Sequence, residues 1–179
     1  MEPLLAGRRV PLGDVYAFIS SLYYRGKRAY ARRFGHRLGG GPSAFVVTPT
    51  AGLLPDETPV GMEDLRAFAA TDIDPEDPAY LHALTASARA LLDEVARGAD
   101  VVLLGSIASG KYLDPLEAVF GERLLVPSAF VGRGDMSRGG LLLRAVDAGR
   151  ELEYVGASET ARRGPRPPKL DPSTRPSRD

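Results

Sequence analysis

The chain has 179 residues, and its 23 lysine and arginine side chains balance 23 aspartate and glutamate side chains. Its length and its composition, 44% hydrophobic and 26% charged, are typical of one globular domain with a short tail. Cysteine is absent, which excludes disulfide bonds, thiol catalysis and thiolate-bound metals, and two histidines are too few for a three-histidine site, so no metal site is expected.

The first predicted element is a long N-terminal helix over residues 14–37. Its apolar side chains recur every three or four positions and form one buried stripe. Gly26 falls on this stripe, where the missing side chain would let another backbone approach closely. The opposite side is basic and carries Arg25, Lys27, Arg28 and Arg32. We interpret it as a solvated face, and the alternative is a surface that contacts nucleic acid or a protein partner.

A buried strand, a short helix and a longer helix follow. Residues 44–48 form an apolar, β-branched run that predicts a strand buried in a parallel sheet. Helices are predicted over residues 62–70 and 79–97 from the spacing of their apolar residues. The four acids between residues 72 and 77 precede the second of these helices. We interpret them as charges that stabilise its N-terminus rather than as a calcium site.

The second half of the chain predicts a helix around 115–120 and strands at 100–105, 123–126, 141–146 and 151–155. Residues 147–150 are the predicted turn of a C-terminal antiparallel hairpin. The alternation of strands and helices predicts an α/β fold, a small three-layer sandwich with about four or five mostly parallel strands in its central sheet. Residues 1–160 are predicted to form this single domain. Residues 161–179, rich in proline and arginine, are predicted to be a largely disordered tail.

The segment after the second predicted strand carries the strongest chemical signal. Residues 105–112, GSIASGKY, match the G-x-x-x-x-G-K pattern of loops that hold phosphate with backbone N–H groups and a lysine. Tyr112 replaces the Ser or Thr of a nucleotide triphosphatase, and Pro115 predicts that a separate helix begins at Asp114. A phosphate loop, a loop for another polar ligand and a structural turn all remain open. The predicted ligand-binding residues are Gly105, Ser106, Ser109, Gly110 and Tyr112, with Lys111 as the cation.

A second glycine-rich segment, GRGDMSRGG at residues 132–140, is predicted to be a loop between two apolar runs. Arg133 and Arg138 are candidates for holding a phosphate or carboxylate through paired hydrogen bonds. Asp135 is the candidate general base and, with Lys111, a candidate catalytic residue. The alternative is a connecting loop whose charges pair across it.

The loop after the first predicted strand completes the predicted site. Ligands of open α/β sheets bind outside the carboxyl ends of the strands, where residues 105–112 and 132–138 are also expected. Thr48 and Thr50 would donate hydrogen bonds there, and the alternative is that both are ordinary turn residues.

The chain resembles an uncharacterised family of bacterial cytoplasmic proteins. The resemblance lies in residues 101–144 (VVLLGSIASGKYLDPLEAVFGERLLVPSAFVGRGDMSRGGLLLR) and extends to LYYRGKRAYARRF, FVVTPTAGLLPDETPV and RRGPRPPKL. It implies no established activity and no catalytic residues. The layout of VVTPTAGLLPD, GSIASGKY and GRGD also resembles small α/β proteins of nucleobase or nucleoside metabolism, which implies a nucleoside-like ligand.

Two functional hypotheses follow. The first is an enzyme or sensor that binds a phosphate-bearing or nucleoside-like small molecule at the sheet edge, with no cofactor specified. The second is a non-catalytic module that contacts a protein or RNA through the basic helix and the tail. No apolar run approaches about 18 residues and no apolar signal core precedes the first arginines, so we expect a cytoplasmic protein that does not enter a membrane.

Overall fold

The computed structural model describes residue 4 and residues 6–20, 22–37 and 40–171. The helices in these ranges are α1 (Leu12–Ile19), α2 (Leu22–Phe34), α3 (Met62–Ala69), α4 (Pro78–Arg89), α5 (Leu92–Ala96), α6 (Gly110–Phe120) and α7 (Asp135–Asp147). The strands are β1 (Val10–Pro11), β2 (Phe45–Thr48), β3 (Gly52–Pro55), β4 (Pro59–Val60), β5 (Val101–Val102), β6 (Leu124–Pro127) and β7 (Tyr154–Gly156). None of these helices is long and apolar enough to cross a bilayer.

The strands form three small sheets, so the fold is mixed α/β as predicted, without the predicted central sheet. β1 pairs with β4, and β2 pairs with β3, both antiparallel. In the third sheet β5 runs parallel to β6, with Val101 opposite Leu124, and β7 runs antiparallel to β6. Residues 49–51 form a turn that reverses the chain directly after β2. Strand β2 therefore pairs with its neighbour β3 instead of joining β5. Within the described residues, β5 and β6 make the one parallel pair.

The predicted strand at 141–146 and the predicted C-terminal hairpin are wrong, because residues 135–147 form helix α7. The run LLLRAV has the apolar character of a strand, but Leu142 and Ala145 lie three residues apart and are buried on one helical face. The loop predicted for residues 132–140 is correspondingly shorter. Gly139 and Gly140 are helical, and Asp135 is the first residue of the helix.

Two of the predicted helices are broken in the structure. The helix predicted over 14–37 is interrupted at Ser20, whose backbone is extended, so that α1 and α2 are separate. The helix predicted over 79–97 is divided into α4 and α5 by a turn at residues 90–91. The short helix predicted over 62–70 is confirmed as α3.

Helix α6 begins at Gly110 and contains Pro115, so the predicted helix start at Asp114 is wrong. Proline has no N–H to donate to the carbonyl four residues earlier, which here belongs to Lys111. The hydroxyl of Tyr80, on α4, donates a hydrogen bond to this carbonyl oxygen at 2.8 Å. Tyr80 is almost completely buried. A tertiary hydrogen bond thus replaces the one that proline removes, and the helix continues through residue 115.

Helices α2 and α7 cross at two glycines. A Cβ atom added to Gly26 would lie 2.7 Å from the carbonyl oxygen of Gly139, and one added to Gly139 would lie 2.6 Å from the Cα of Tyr23. Both distances are shorter than any contact a real side chain makes, so only glycine permits this separation. The close approach predicted at Gly26 is confirmed, and it brings the first turn of α7 beside the middle of α2.

Residues 161–171 lie against the domain. Arg162 forms ion pairs with Asp114 and Glu117 on α6. Arg144 Nη2 on α7 donates to the carbonyl oxygen of Asp171 at 2.6 Å. The predicted disorder beyond residue 171 falls outside the described residues.

Candidate functional site

A cavity of about 830 Å³ lies among α1, α2, the β2–β3 hairpin and the loop after β5. Its volume falls in the range of small-molecule sites, roughly 300–1,000 Å³. The chain has seven tyrosines. Six of them line the cavity: Tyr16, Tyr23, Tyr24, Tyr30, Tyr112 and Tyr154. We call this space the tyrosine cavity. Its wall combines aromatic faces, which suit a planar apolar group, with a few charged and polar side chains that would orient it.

Lys27 and Asp135 both line the tyrosine cavity. The crossing at Gly26 and Gly139 places the start of α7 beside α2, so the residue after Gly26 lies near the first residue of α7. The Nζ atom of Lys27 lies over the ring of Tyr23, 4.1 Å from its centroid. Burial lowers the pKa of the Lys27 amine, and the charge of Asp135 opposes that effect. This part of the wall therefore holds an amine that releases its proton more readily than an exposed lysine.

Two tyrosines adjoin Lys27 and Asp135. Burial raises the pKa of Tyr23 to about 12, against the opposing effect of Arg138, and its hydroxyl donates to the carbonyl oxygen of Leu104 at 2.8 Å. Burial and the charge of Asp135 also raise the pKa of Tyr112. Both hydroxyls therefore remain protonated at neutral pH.

A chain of hydrogen bonds runs along another part of the wall. The backbone N–H of Leu152 donates to the hydroxyl of Tyr30 at 2.8 Å, and the two hydroxyls of Tyr30 and Tyr154 are 2.6 Å apart. The hydroxyl of Tyr154 donates to Glu151 Oε1 at 2.7 Å. Because the single proton of Tyr154 goes to the carboxylate, Tyr30 is the donor between the two tyrosines. These bonds fix the two rings before any ligand enters.

An ion-pair cluster occupies a third part of the wall. Asp56 is almost fully buried, and its Oδ2 atom is 2.9 Å from Arg28 Nε and 3.0 Å from Arg32 Nη2. Arg28 also pairs with Asp14, with 2.6 Å between Nη1 and Oδ1. The side of α2 that the sequence predicts to be a solvated basic face therefore has two of its arginines paired with carboxylates.

The structure brings together four of the predicted site residues. These four line the tyrosine cavity: Gly105, Ser106, Tyr112 and Asp135. They meet because β5 and β6 are parallel, so the segments after both strands emerge at the same edge. Ser109 and Gly110 lie at the start of α6 and are not among the lining residues. Lys111 is exposed on the same turn, and its predicted contact with an anion stays a prediction.

The two predicted arginines are held by contacts within the protein. Arg133 Nε donates to the carbonyl oxygen of Ala129 at 3.0 Å, and its Nη1 donates to Ser137 Oγ at 3.2 Å. Arg138 is 5% exposed, with its guanidinium 5.4 Å from the ring centroid of Phe130 and its Nη1 atom 3.7 Å from Asp135 Oδ1. Neither arginine lines the cavity.

The two predicted threonines lie in the β2–β3 turn. Thr48 is fully buried; its Oγ1 donates to the carbonyl oxygen of Gly52 at 2.9 Å and accepts from the N–H of Ala51 at 3.1 Å. The hydroxyl of Thr48 thus acts both as a donor and as an acceptor in closing the hairpin. Thr50 is exposed in the same turn.

Lys27 is the charged amine among the cavity residues that sequence reasoning missed, and five of the six tyrosines were missed as well. The sequence assigns it to a solvated face because it lies beside, not on, the apolar stripe of α2. In the structure it is partly buried and lines the cavity. Its position directly after Gly26 is the available signal, since a glycine at a helix crossing draws its neighbours against the second helix.

The fold and the cavity define a small mixed α/β domain with an aromatic-lined pocket. A scan against protein families and searches of curated proteins and solved structures find no match to this chain. The part of the chain that the structure describes contains no group of three or more His, Asp or Glu side chains placed to hold a metal.

Proposed function

We propose that this protein binds a nucleoside-like small molecule with an anionic group, such as a phosphate, in the tyrosine cavity. The observation that carries the proposal is the six tyrosines that line a space of about 830 Å³. A planar ring stacks on such faces, and a cavity of this volume encloses a ligand of nucleotide size. The resemblance of the sequence to proteins of nucleoside metabolism points to the same ligand class.

The charges of the wall suggest how the ligand is oriented. Lys27 is the lysine of the lining set, and Gly105 and Ser106, which follow β5, line the same cavity. The anionic group would contact the Lys27 amine, with the hydroxyl of Ser106 as a hydrogen-bond donor. The ring would then lie toward Tyr30 and Tyr154, whose positions are already fixed by hydrogen bonds.

Binding is tested by thermal shift with a nucleoside, the corresponding nucleoside monophosphate and inorganic phosphate. The wild-type chain should gain thermal stability with the monophosphate, because a ligand that binds only the folded state stabilises it. Lys27→Met should lose the part of this gain that depends on the phosphate. Lys111→Met is the matched control: an exposed lysine changed to the same residue should leave the gain intact.

Two results would count against this assignment. If no nucleoside, monophosphate or phosphate raises the melting temperature of the wild type, the proposed ligand class is wrong. If Lys111→Met and not Lys27→Met removes the effect of phosphate, the anion binds at the start of α6 and not in the tyrosine cavity.

The alternative function, an interaction module, has less support. Arg28 and Arg32 were expected to provide much of its basic surface, but both are paired with Asp56. Arg25 and Arg33 are exposed on α2 outside these ion pairs, and Arg32 is exposed within its pair.

A further inference from the structure

We propose that Lys27 is a nucleophilic amine that forms an imine with an aldehyde or ketone group of the ligand. The inference rests on the proposed function only for the place where the ligand binds, and the group of the ligand that meets the Lys27 amine is here a carbonyl in place of the anionic group. The chemistry rests on the groups around the Lys27 amine. It adds the formation of a covalent bond to the proposed binding of a ligand.

The surroundings of Lys27 fit this role. The amine lies on the cavity wall, over the ring of Tyr23, where a bound ligand would meet it. The charge of Asp135, at the start of α7, acts on the amine, and both Asp135 and Tyr112 of α6 line the same cavity. Arg138 lies three residues after Asp135 on α7, and its positive charge also acts on the amine. An amine, a carboxylate and a nearby cation are the groups that lysine-based carbonyl chemistry uses.

Burial outweighs the charges around Lys27, of which Asp135 has the larger effect and favours the ammonium form. Burial lowers the pKa of Lys27, and the neighbouring cation Arg138 lowers it further. Asp135 and the face of Tyr23 favour the ammonium form, and the net direction is still downward. Since only the unprotonated amine attacks a carbonyl carbon, Lys27 is more reactive at neutral pH than an exposed lysine.

The reaction balances with the groups present. The amine nitrogen attacks the carbonyl carbon, and the C=O π bond becomes a hydroxyl in a carbinolamine. Of the two amine protons, one passes through the Asp135 carboxylate to the carbonyl oxygen and gives this hydroxyl. The other follows the same route to the hydroxyl, so that the C–O bond breaks, water departs and the C=N bond forms. No oxidant or reductant is consumed. Asp135 is thus the general acid–base group, the role that the sequence predicts for it.

The amino-acid composition limits the side reactions of a chemical test for this nucleophile. The chain contains three lysines and no cysteine, so an aldehyde reagent meets few competing nucleophiles. Lys111 and Lys169 are both exposed. They are internal controls for the ordinary reactivity of a solvated lysine in the same sample.

The experiment uses the full chain and pyridoxal 5′-phosphate, an aromatic aldehyde that carries a phosphate, followed by borohydride to reduce any imine. Peptide mapping then gives the labelling rate at each lysine and at the α-amino group. Lys27 should react severalfold faster than Lys111 or Lys169 near neutral pH. The difference should vanish in guanidinium chloride, because it depends on the folded surroundings. Formaldehyde is the second probe, small enough to reach the amine whatever the shape of the cavity.

Matched variants separate the inference from the proposed function. Lys27→Arg should lose the fast labelling, while Lys111→Arg should keep it. Asp135→Asn removes the proton carrier and should slow imine formation at Lys27 at alkaline pH, where the amine is neutral with or without this carboxylate. Pyridoxine 5′-phosphate, the alcohol that lacks the carbonyl, measures binding to the wild type in a thermal shift. If the alcohol binds but Lys27 reacts no faster than Lys111 with either aldehyde, the imine is overturned and the binding function stands. If Lys27 reacts fast with formaldehyde and neither phosphate compound binds, the nucleophile stands and the proposed ligand class fails.

Discussion

At the scale of single residues, Tyr80 shows how a side chain from one helix makes a proline tolerable in another. Its hydroxyl satisfies the Lys111 carbonyl that Pro115 leaves without an N–H donor. Tyr80→Phe removes only the hydroxyl and should lower the free energy of unfolding by about 1–3 kcal/mol, the cost of an unpaired buried acceptor. Urea denaturation followed by circular dichroism measures this change.

A double-mutant cycle isolates that hydrogen bond. Pro115→Ala restores an N–H at position 115, which can donate to the carbonyl of Lys111 within the helix. Tyr80→Phe should therefore cost less in the Pro115→Ala background than in the wild type. Equal costs in the two backgrounds would show that Tyr80 stabilises α4 and α6 by packing alone.

At the scale of helices, the crossing of α2 and α7 depends on Gly139. A methyl group there would meet the backbone of Tyr23, which cannot rotate away as a side chain would. Gly139→Ala should destabilise the fold by about 1–3 kcal/mol through overpacking, although alanine has the better helix propensity by roughly 1 kcal/mol. The measurement is again the urea midpoint.

The neighbouring residue provides the control for this substitution. A Cβ atom at Gly140 would lie 3.3 Å from the Cδ1 of Leu170, the end of a flexible side chain. Gly140→Ala should be neutral or stabilising by up to about 1 kcal/mol. If both alanine variants destabilise equally, the loss reflects the helix itself and not its contact with α2.

Patterns in the sequence predicted only those helices and strands whose formation depends on residues close together in the chain. The spacing of apolar residues located α3 and the buried face of Gly26, because both are properties of a single amphipathic helix. The same method placed a strand at residues 141–146, since three consecutive leucines fit either structure. Packing of α7 on α2 decides between them, and that contact joins residues more than a hundred positions apart.

The residues of the candidate site were predictable where their positions follow from the order and direction of the strands. Residues 105–106 and Asp135 meet because β5 and β6 are parallel, a rule that holds even for a sheet with one parallel pair. Lys27 was not predictable in the same way. Its burial depends on the glycine crossing, which no periodic pattern within α2 specifies.

At the scale of the whole molecule, residues 161–171 make contacts that should stabilise the domain that they cross. A chain ending at residue 160 loses the ion pair of Arg162 with Asp114 and the hydrogen bond from Arg144 to Asp171. These exposed contacts are worth up to about 1 kcal/mol each. The truncation should lower the melting temperature by several degrees, measured by differential scanning calorimetry.

A longer truncation product serves as the control. A chain ending at residue 171 keeps every one of these contacts and should melt at the temperature of the full chain. An unchanged melting temperature for the chain ending at residue 160 would show that the segment lies on the surface without stabilising it.

The placement of the tyrosines has an optical consequence. The chain has no tryptophan, so its near-ultraviolet emission comes from tyrosine alone. Six of the seven emitters line one cavity, while Tyr80 is buried against α6. A ring stacked among the six would quench most of the emission while leaving that of Tyr80. The tyrosine fluorescence of the protein would therefore report a ligand that fills the cavity, with no label attached.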